Sequence, residues 1–156
     1  MRVTLSDDAR RRIAVFEDVT GATARDCLAL GPGNETDGGG SDDGEDGRFR
    51  LVFLVKTGEM ARAIGPDGRT VRKVEGKLDA DVALVEDAAT AEAFVASALA
   101  PAAVYNVTVS ENDTTVAYAE VDPADTGVAI GRDGRTIEAA RRLAKRHFDI
   151  DDVQLA

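Results

Sequence analysis

Two eight-residue stretches of the chain combine residue types suited to holding an anion. They are Ala63-Ile64-Gly65-Pro66-Asp67-Gly68-Arg69-Thr70 and Ala129-Ile130-Gly131-Arg132-Asp133-Gly134-Arg135-Thr136. Only one slot differs, Pro66 against Arg132, and the residues that follow, Val71 and Ile137, are a conservative pair. Each copy sets Gly-x-x-Gly between an apolar segment and an amphipathic helix. A helix N-terminus points amides and the positive end of its dipole outward, which favours an anion. Glycines lack a Cβ, so a ligand backbone can approach such a loop closely. Arg69 and Arg135 stand beside the loops and add cations. One copy alone would suit a tight helix–helix turn equally well. A second copy, with arginine at the same following position, favours binding.

Hydrophobic periodicity gives the elements that must hold these loops. Ser6-Asp7-Asp8 can cap a helix from about Ala9 to Val19, with Ala9, Ile13 and Phe16 on one face and Gly21 as a stop. Ala24 to Leu30 reads as a strand, and Arg48 to Val55 as the strongest one, through Leu51-Val52-Phe53-Leu54-Val55. Glu59 to Ile64 is expected as a short helix. Arg69 to Leu78 is expected as a longer one, with Val71, Val74 and Leu78 in register. Asp81 to Val85 closes the unit as a strand. The order then restarts. Thr90 caps a helix to Leu99, which Pro101 ends, and Val104 to Ser110 and Thr114 to Val121 form a hairpin through Glu111-Asn112-Asp113. A short helix from Asp125 to Ile130, a long one from Arg135 to Phe148 and a strand through Asp152-Val153-Gln154-Leu155 complete the second unit.

Residues Gly31 to Gly47 are of a different kind. Gly-Pro-Gly-Asn-Glu-Thr-Asp-Gly-Gly-Gly-Ser-Asp-Asp-Gly-Glu-Asp-Gly can bury almost nothing and is expected to be a mobile loop. It does not read as a calcium loop. Gly44 falls where a loop starting at Asp42 needs its second oxygen ligand.

The chain has 156 residues and a formal net charge of −10, which on average opposes a polyanionic partner. The distribution reverses that inference. Residues 60–80 hold five basic and three acidic side chains, and residues 126–147 hold six and two, so these stretches carry +2 and +4. The remainder carries −16, the overall −10 less this +6. Positive charge therefore gathers on the repeated stretches. No apolar run reaches the roughly 18 residues of a membrane span, and the N-terminus lacks an apolar signal core, so a soluble cytoplasmic protein with no membrane partner is expected. Cys27 is the single cysteine and fits a small core residue. His147 is the single histidine, placed near a helix C-terminus where a cation is favoured. No metal-ligand spacing, nucleophile–base pair or Gly-Lys-Ser/Thr phosphate loop is present, so no enzyme, metal or cofactor is expected.

Ile-Gly-x-x-Gly between two helices, in this order of elements, resembles the KH domain. The helix-first order resembles the prokaryotic type II form, and two such units in tandem are similar to the archaeal NusA-like transcription termination factors. The resemblance covers roughly Ser6 to Leu155. It implies an α+β fold of two tandem type II KH domains, each α-β-β-α-α-β, with a three-stranded sheet and helices on one face. The first domain would span residues 1–87, with the disordered acidic hairpin loop 31–47, and the second residues 88–156. The acidic, lysine-poor, alanine-rich composition, with lysine only at Lys56, Lys73, Lys77 and Lys145, resembles that of proteins from extreme halophiles.

The resemblance implies single-stranded RNA as the ligand, held about four nucleotides per unit. The implied contacts are Ile64, Gly65, Pro66, Asp67, Gly68, Arg69, Val71 and Arg72 in the first unit. In the second they are Ile130, Gly131, Arg132, Asp133, Gly134, Arg135 and Ile137. Bases would pack on the apolar residues and the sugar-phosphate backbone would pass over the glycines. Asp67 and Asp133 are expected to cap the helices that follow. Arg132 against Pro66 makes the second unit the expected stronger contact. Arg141, Arg142, Lys145 and Arg146, further along the last helix, fit a solvated face as readily as phosphate contacts. Action in transcription termination or antitermination is implied, with RNA polymerase as a further partner. The alternative is a KH-fold scaffold contacting RNA polymerase or ribosomal proteins. At about 1 M salt the screening length is about 3 Å, so a halophile's site would rest on close packing and backbone contacts.

Overall fold

The computed structural model describes residues 3–30 and 50–156. The acidic loop expected at 31–47 lies outside the described residues, as do the first two residues of the strand expected from Arg48. The chain forms two compact units, one spanning Leu5–Glu86 and the other containing Asp87–Ala156.

The first unit begins with helix α1, Asp7–Thr20. Ser6 accepts a hydrogen bond from the Ala9 amide at 3.0 Å, satisfying one of the amides a helix start leaves unpaired. Gly21, at φ 74°, ends the helix in the left-handed conformation. Thr20, polar but buried, donates to the Phe16 carbonyl and accepts from the Ala22 amide, so its buried hydroxyl is paired in both directions. Strands β1 (Ala24–Leu30) and β2 (Arg50–Val55) pair antiparallel, and β3 (Asp81–Glu86) joins β2 in parallel. β2 is the central strand, and Leu51 to Val55 are all buried, which accounts for its near-continuous apolar run. Helices α2 (Met60–Ile64) and α3 (Arg69–Leu78) lie between β2 and β3. Phe16 of α1 stacks on Phe53 of β2 with ring centroids 4.4 Å apart, at the centre of a core that also holds Ile13, Ala63 and Val74.

Cys27 belongs to this core, and burial pushes its thiol up to about 12 from 9.0. The raised value has a definite sign. The unfolded thiol ionises above 9 while the folded one stays protonated, so this group's stabilisation is present below 9 and is lost as pH rises toward 12. Because the thiolate is the nucleophile, the folded protein is expected to resist thiol-specific reagents at pH 8 and to react stoichiometrically once denatured. Rapid labelling of the folded chain would contradict the buried placement.

The second unit repeats this order. Helix α4 (Ala91–Ala98) is capped by Thr90, which accepts from the Ala93 amide at 3.1 Å. Strands β4 (Val104–Glu111) and β5 (Thr115–Val121) pair antiparallel, and β6 (Asp152–Leu155) joins β5 in parallel. Helices α5 (Thr126–Ile130) and α6 (Arg135–Phe148) fill the β5-to-β6 crossover. Buried Ile137, Ala140, Leu143 and Ala144 form the inner stripe of α6, and Phe148 meets Phe94 of α4 at 4.9 Å between ring centroids. At 14 residues, α6 is longer than α3, which has 10. Among the described residues, each unit is thus an α+β assembly of three α-helices and one three-stranded sheet with matching strand order.

Candidate nucleic-acid interface

In both units the glycine loop is a single 3₁₀ turn wedged between two helices, Pro66–Gly68 between α2 and α3 and Arg132–Gly134 between α5 and α6. Its two glycines do different things. Gly65 (φ 76°, ψ 172°) and Gly131 (φ 84°, ψ 167°) occupy a region of backbone space that is essentially closed to other residues. The space a side chain would need there is already filled. A Cβ on Gly65 would overlap the Thr70 hydroxyl and lie 2.9 Å from the Thr70 amide nitrogen. A Cβ on Gly131 would overlap the Thr136 hydroxyl and lie 2.7 Å from the Thr136 amide nitrogen. The first glycine lets the following helix fold back on the loop and makes no room for a ligand.

The second glycine faces outward. A Cβ on Gly134, at φ 75°, would have open space around it. On Gly68, at φ 74°, it would come 3.1 Å from an Nη of Arg72. The first unit thus lays a guanidinium over the spot that the second leaves open. Arg72 stands where the first loop, with Pro66 in the variable slot, carries no cation of its own.

Asp67 and Asp133 do not cap the helices. They sit at φ 54° and 56°, while Gly68 and Gly134 hold the N-cap positions, with no side chain accepting from the first turn. Closing the loop forces two consecutive left-handed residues, and aspartate tolerates that conformation better than most. The cap-forming rotation is therefore lost. Two amides in each loop are also less available than at an ordinary helix start. The Gly68 amide donates to the Gly65 carbonyl and the Gly134 amide to the Gly131 carbonyl, each at 3.0 Å. The Arg69 and Arg135 amides donate to the carbonyls of Pro66 and Arg132. What remains for an anion is the dipole, the later amides of the first turn and the cations.

Beside the second loop lies an open groove of about 580 Å³. Ile130, Asp133 and Gly134 form its loop side, Ile137, Glu138 and Arg141 of α6 its flank, and Gln154 and Leu155 of β6 its far wall. Ile130 is 39% exposed and available to a ligand, whereas Ile137 at 7% supports the floor from below. Of the residues expected at this site, Ile130, Asp133, Gly134 and Ile137 come together in the groove. Arg132, exposed, and Arg135, half-buried, flank it, and Gly131 holds the loop's shape. In the first unit Ile64 is 38% exposed and Val71 half-buried, with Pro66, Asp67, Arg69 and Arg72 at the surface around half-buried Gly65 and Gly68.

Two cations of α6 have structural duties. Arg141 donates from Nε to the Val153 carbonyl at 3.1 Å and pairs with Asp152 at 2.9 Å, tying helix to strand. Lys145 donates to Asp151 at 2.7 Å, and Asp151 also accepts from the Thr115 amide. That bond raises the Lys145 ammonium above its ordinary value and lowers the Asp151 carboxyl below its own. Sequence reasoning missed Glu138, Gln154 and Leu155. Glu138 follows Gly134 by four residues, about one helical turn, and was legible by period, whereas the β6 residues arrive only through parallel pairing with β5.

Residues 91–156 match the family described as NusA-like second KH domain. Over the whole length, the chain is 65% identical to a probable transcription termination protein NusA of Halococcus morrhuae, covering 100% of each. It is 58% identical to the protein of the same name from Halobacterium salinarum, covering 99% of each. The crystal structure of APE1850 matches with a TM-score of 0.76 at 27% identity, over 97% of this chain and 100% of that one. With a KH domain in its second unit and this identity to relatives from halophiles over the full length, the protein belongs to the NusA-like family of transcription termination proteins.

Proposed function

We propose that the protein is a non-enzymatic, single-stranded RNA-binding factor of transcription termination or antitermination, with a KH domain in each unit. The observation that carries the reading is the groove of the second unit. An exposed isoleucine and an apolar floor lie directly beside an outward-facing glycine, flanked by Arg132 and Arg135. Bases pack on Ile130 and Leu155 while the sugar-phosphate backbone runs over Gly134 toward the arginines. Base packing of this kind requires unpaired nucleotides, because a duplex hides its base faces. The matching element order, sheet pairing and loop geometry of Leu5–Glu86 support a second RNA-binding unit there, with Arg72 supplying the cation that Pro66 does not. Two linked sites raise the effective concentration of the strand at each. RNA polymerase is the partner that action on a nascent transcript would require.

The test is fluorescence anisotropy in molar KCl with labelled single-stranded RNA, single-stranded DNA and duplex RNA. Saturable binding to single-stranded RNA, with duplex at least about tenfold weaker because its bases are inaccessible, is expected. Absence of binding wherever the protein stays folded would move the reading to a KH-fold scaffold for polymerase or ribosomal proteins.

A further inference from the structure

Resting on the RNA-binding reading, we infer that Glu138 is a base-selecting residue, accepting a hydrogen bond from an exocyclic amino group of the base seated in the second groove and disfavouring uracil there. The groove's polar groups are unevenly supplied. Arg141 is drawn against β6 by the Val153 carbonyl and Asp152. Gln154 turns its amide donor to Asp152 at 3.0 Å, which leaves its carbonyl oxygen as the end without that bond. The carboxylates of Asp133 and Glu138 line the groove, and neither has a hydrogen bond or ion pair among the described residues. Above an apolar floor, the two carboxylates and the Gln154 carbonyl oxygen are therefore the acceptors offered to a base, beside the Nη donors that Arg141 keeps outside its Nε contacts.

Position separates Glu138 from Asp133. Asp133 sits in the turn itself, beside the path assigned to the phosphates. Glu138 lies four residues after Gly134, one turn into α6, next to Ile137. The residue at that position in the first unit is Arg72, whose guanidinium overlies Gly68. The two units thus carry opposite charges at one structural position, and the same function cannot be assigned to both. A carboxylate there repels a phosphate and can only accept, so it is suited to a base edge that donates. Adenine, cytosine and guanine each carry an exocyclic amino group, whereas uracil presents carbonyl oxygens on either side of a single N–H. Cytosine and uracil have nearly the same shape, so the difference between them isolates this one hydrogen bond.

The experiment measures anisotropy of labelled oligocytidine and oligouridine of equal length with the full chain in molar KCl, where phosphate attraction is screened and base contacts dominate. The native protein is expected to prefer oligocytidine by about tenfold, the value of one hydrogen bond to a charged group. Glu138→Gln can turn an amide donor toward the uracil carbonyl, so it is expected to gain oligouridine binding and narrow the ratio to about threefold or less. A gain of binding cannot come from misfolding. Oligoadenosine and oligoguanosine arms show which amino-bearing base is preferred. Retention of the native cytidine-to-uridine ratio in Glu138→Gln would overturn the inference and leave the RNA-binding reading standing. Failure of the native chain to bind any of the oligomers would overturn both.

Discussion

Replacing Gly131 by alanine is expected to destabilise the second unit strongly, while the same change at Gly134 costs it little. Both glycines have positive φ, but their surroundings differ. At Gly131 the backbone lies at φ 84° and ψ 167°, which non-glycine residues enter only with strain of about 1–3 kcal/mol. A methyl group there also meets Thr136, with its Cβ and its amide nitrogen both 2.7 Å away. Removing the threonine side chain would leave the clash with the amide, so the overlap cannot be relieved by a rotamer change. Overpacking adds a similar amount, for about 2–6 kcal/mol in total. In a unit of this size, that lowers the melting temperature by about 8 °C or more. At Gly134, φ 75° and ψ 12° is the ordinary left-handed region with open space around it, so alanine costs about 1 kcal/mol. Thermal unfolding followed by circular dichroism distinguishes the two. Equal melting temperatures for Gly131→Ala and Gly134→Ala would refute the division of roles between the glycines. Gly65→Ala, against Thr70, is expected to repeat the effect in the first unit.

Charge reversal of the second loop is expected to abolish most RNA binding, whereas reversal of the first leaves much of it. Arg132→Asp with Gly134→Asp removes the loop's cation and puts a carboxylate into the open space proposed as the path of the strand. The change removes a charge-assisted bond to phosphate and introduces a repulsion, so affinity is expected to fall about 100-fold. Pro66→Asp with Gly68→Asp acts on a loop that has no cation in that slot, and the new carboxylate at position 68 would lie against Arg72. A loss of about tenfold or less is expected there, since a single cation is neutralised. The two double variants are compared by anisotropy in molar KCl, after circular dichroism has shown that both fold. Equal losses would sink the assignment of the stronger site to the second unit.

The architecture is legible in the sequence because its strongest signals are local. Ser6 and Thr90 cap their helices by bonds spanning three residues, the α3 and α6 stripes follow the helical period, and the duplicated glycine loop marks equivalent points in the two units. What stays hidden depends on handedness or long-range pairing. Asp67 and Asp133 precede helices and read as caps, but the loop's closure turns them left-handed and moves the cap position to glycine. The far wall of the groove belongs to β6, whose place is fixed by pairing Val153 with Ala117 and Leu155 with Ala119 across the α5–α6 crossover. The same pairing recruits Arg141 and Lys145 into helix-to-strand ties, a use of arginine and lysine that charge counting cannot distinguish from phosphate binding. In sequence both glycines of a loop read as openings for a ligand, whereas in the folded loop one of the two is an internal packing site.

The most direct test of RNA binding through the glycine loops is a map of backbone amide shifts in the nitrogen-15-labelled full chain, on titration with single-stranded RNA in molar KCl. The largest changes are expected at Ile130, Arg132 to Ile137, Glu138 and Leu155, with a smaller set at Ile64 to Arg72. Changes centred on the outward residues of the second sheet, such as Thr108, Tyr118 and Glu120, with the glycine loops unmoved, would contradict it.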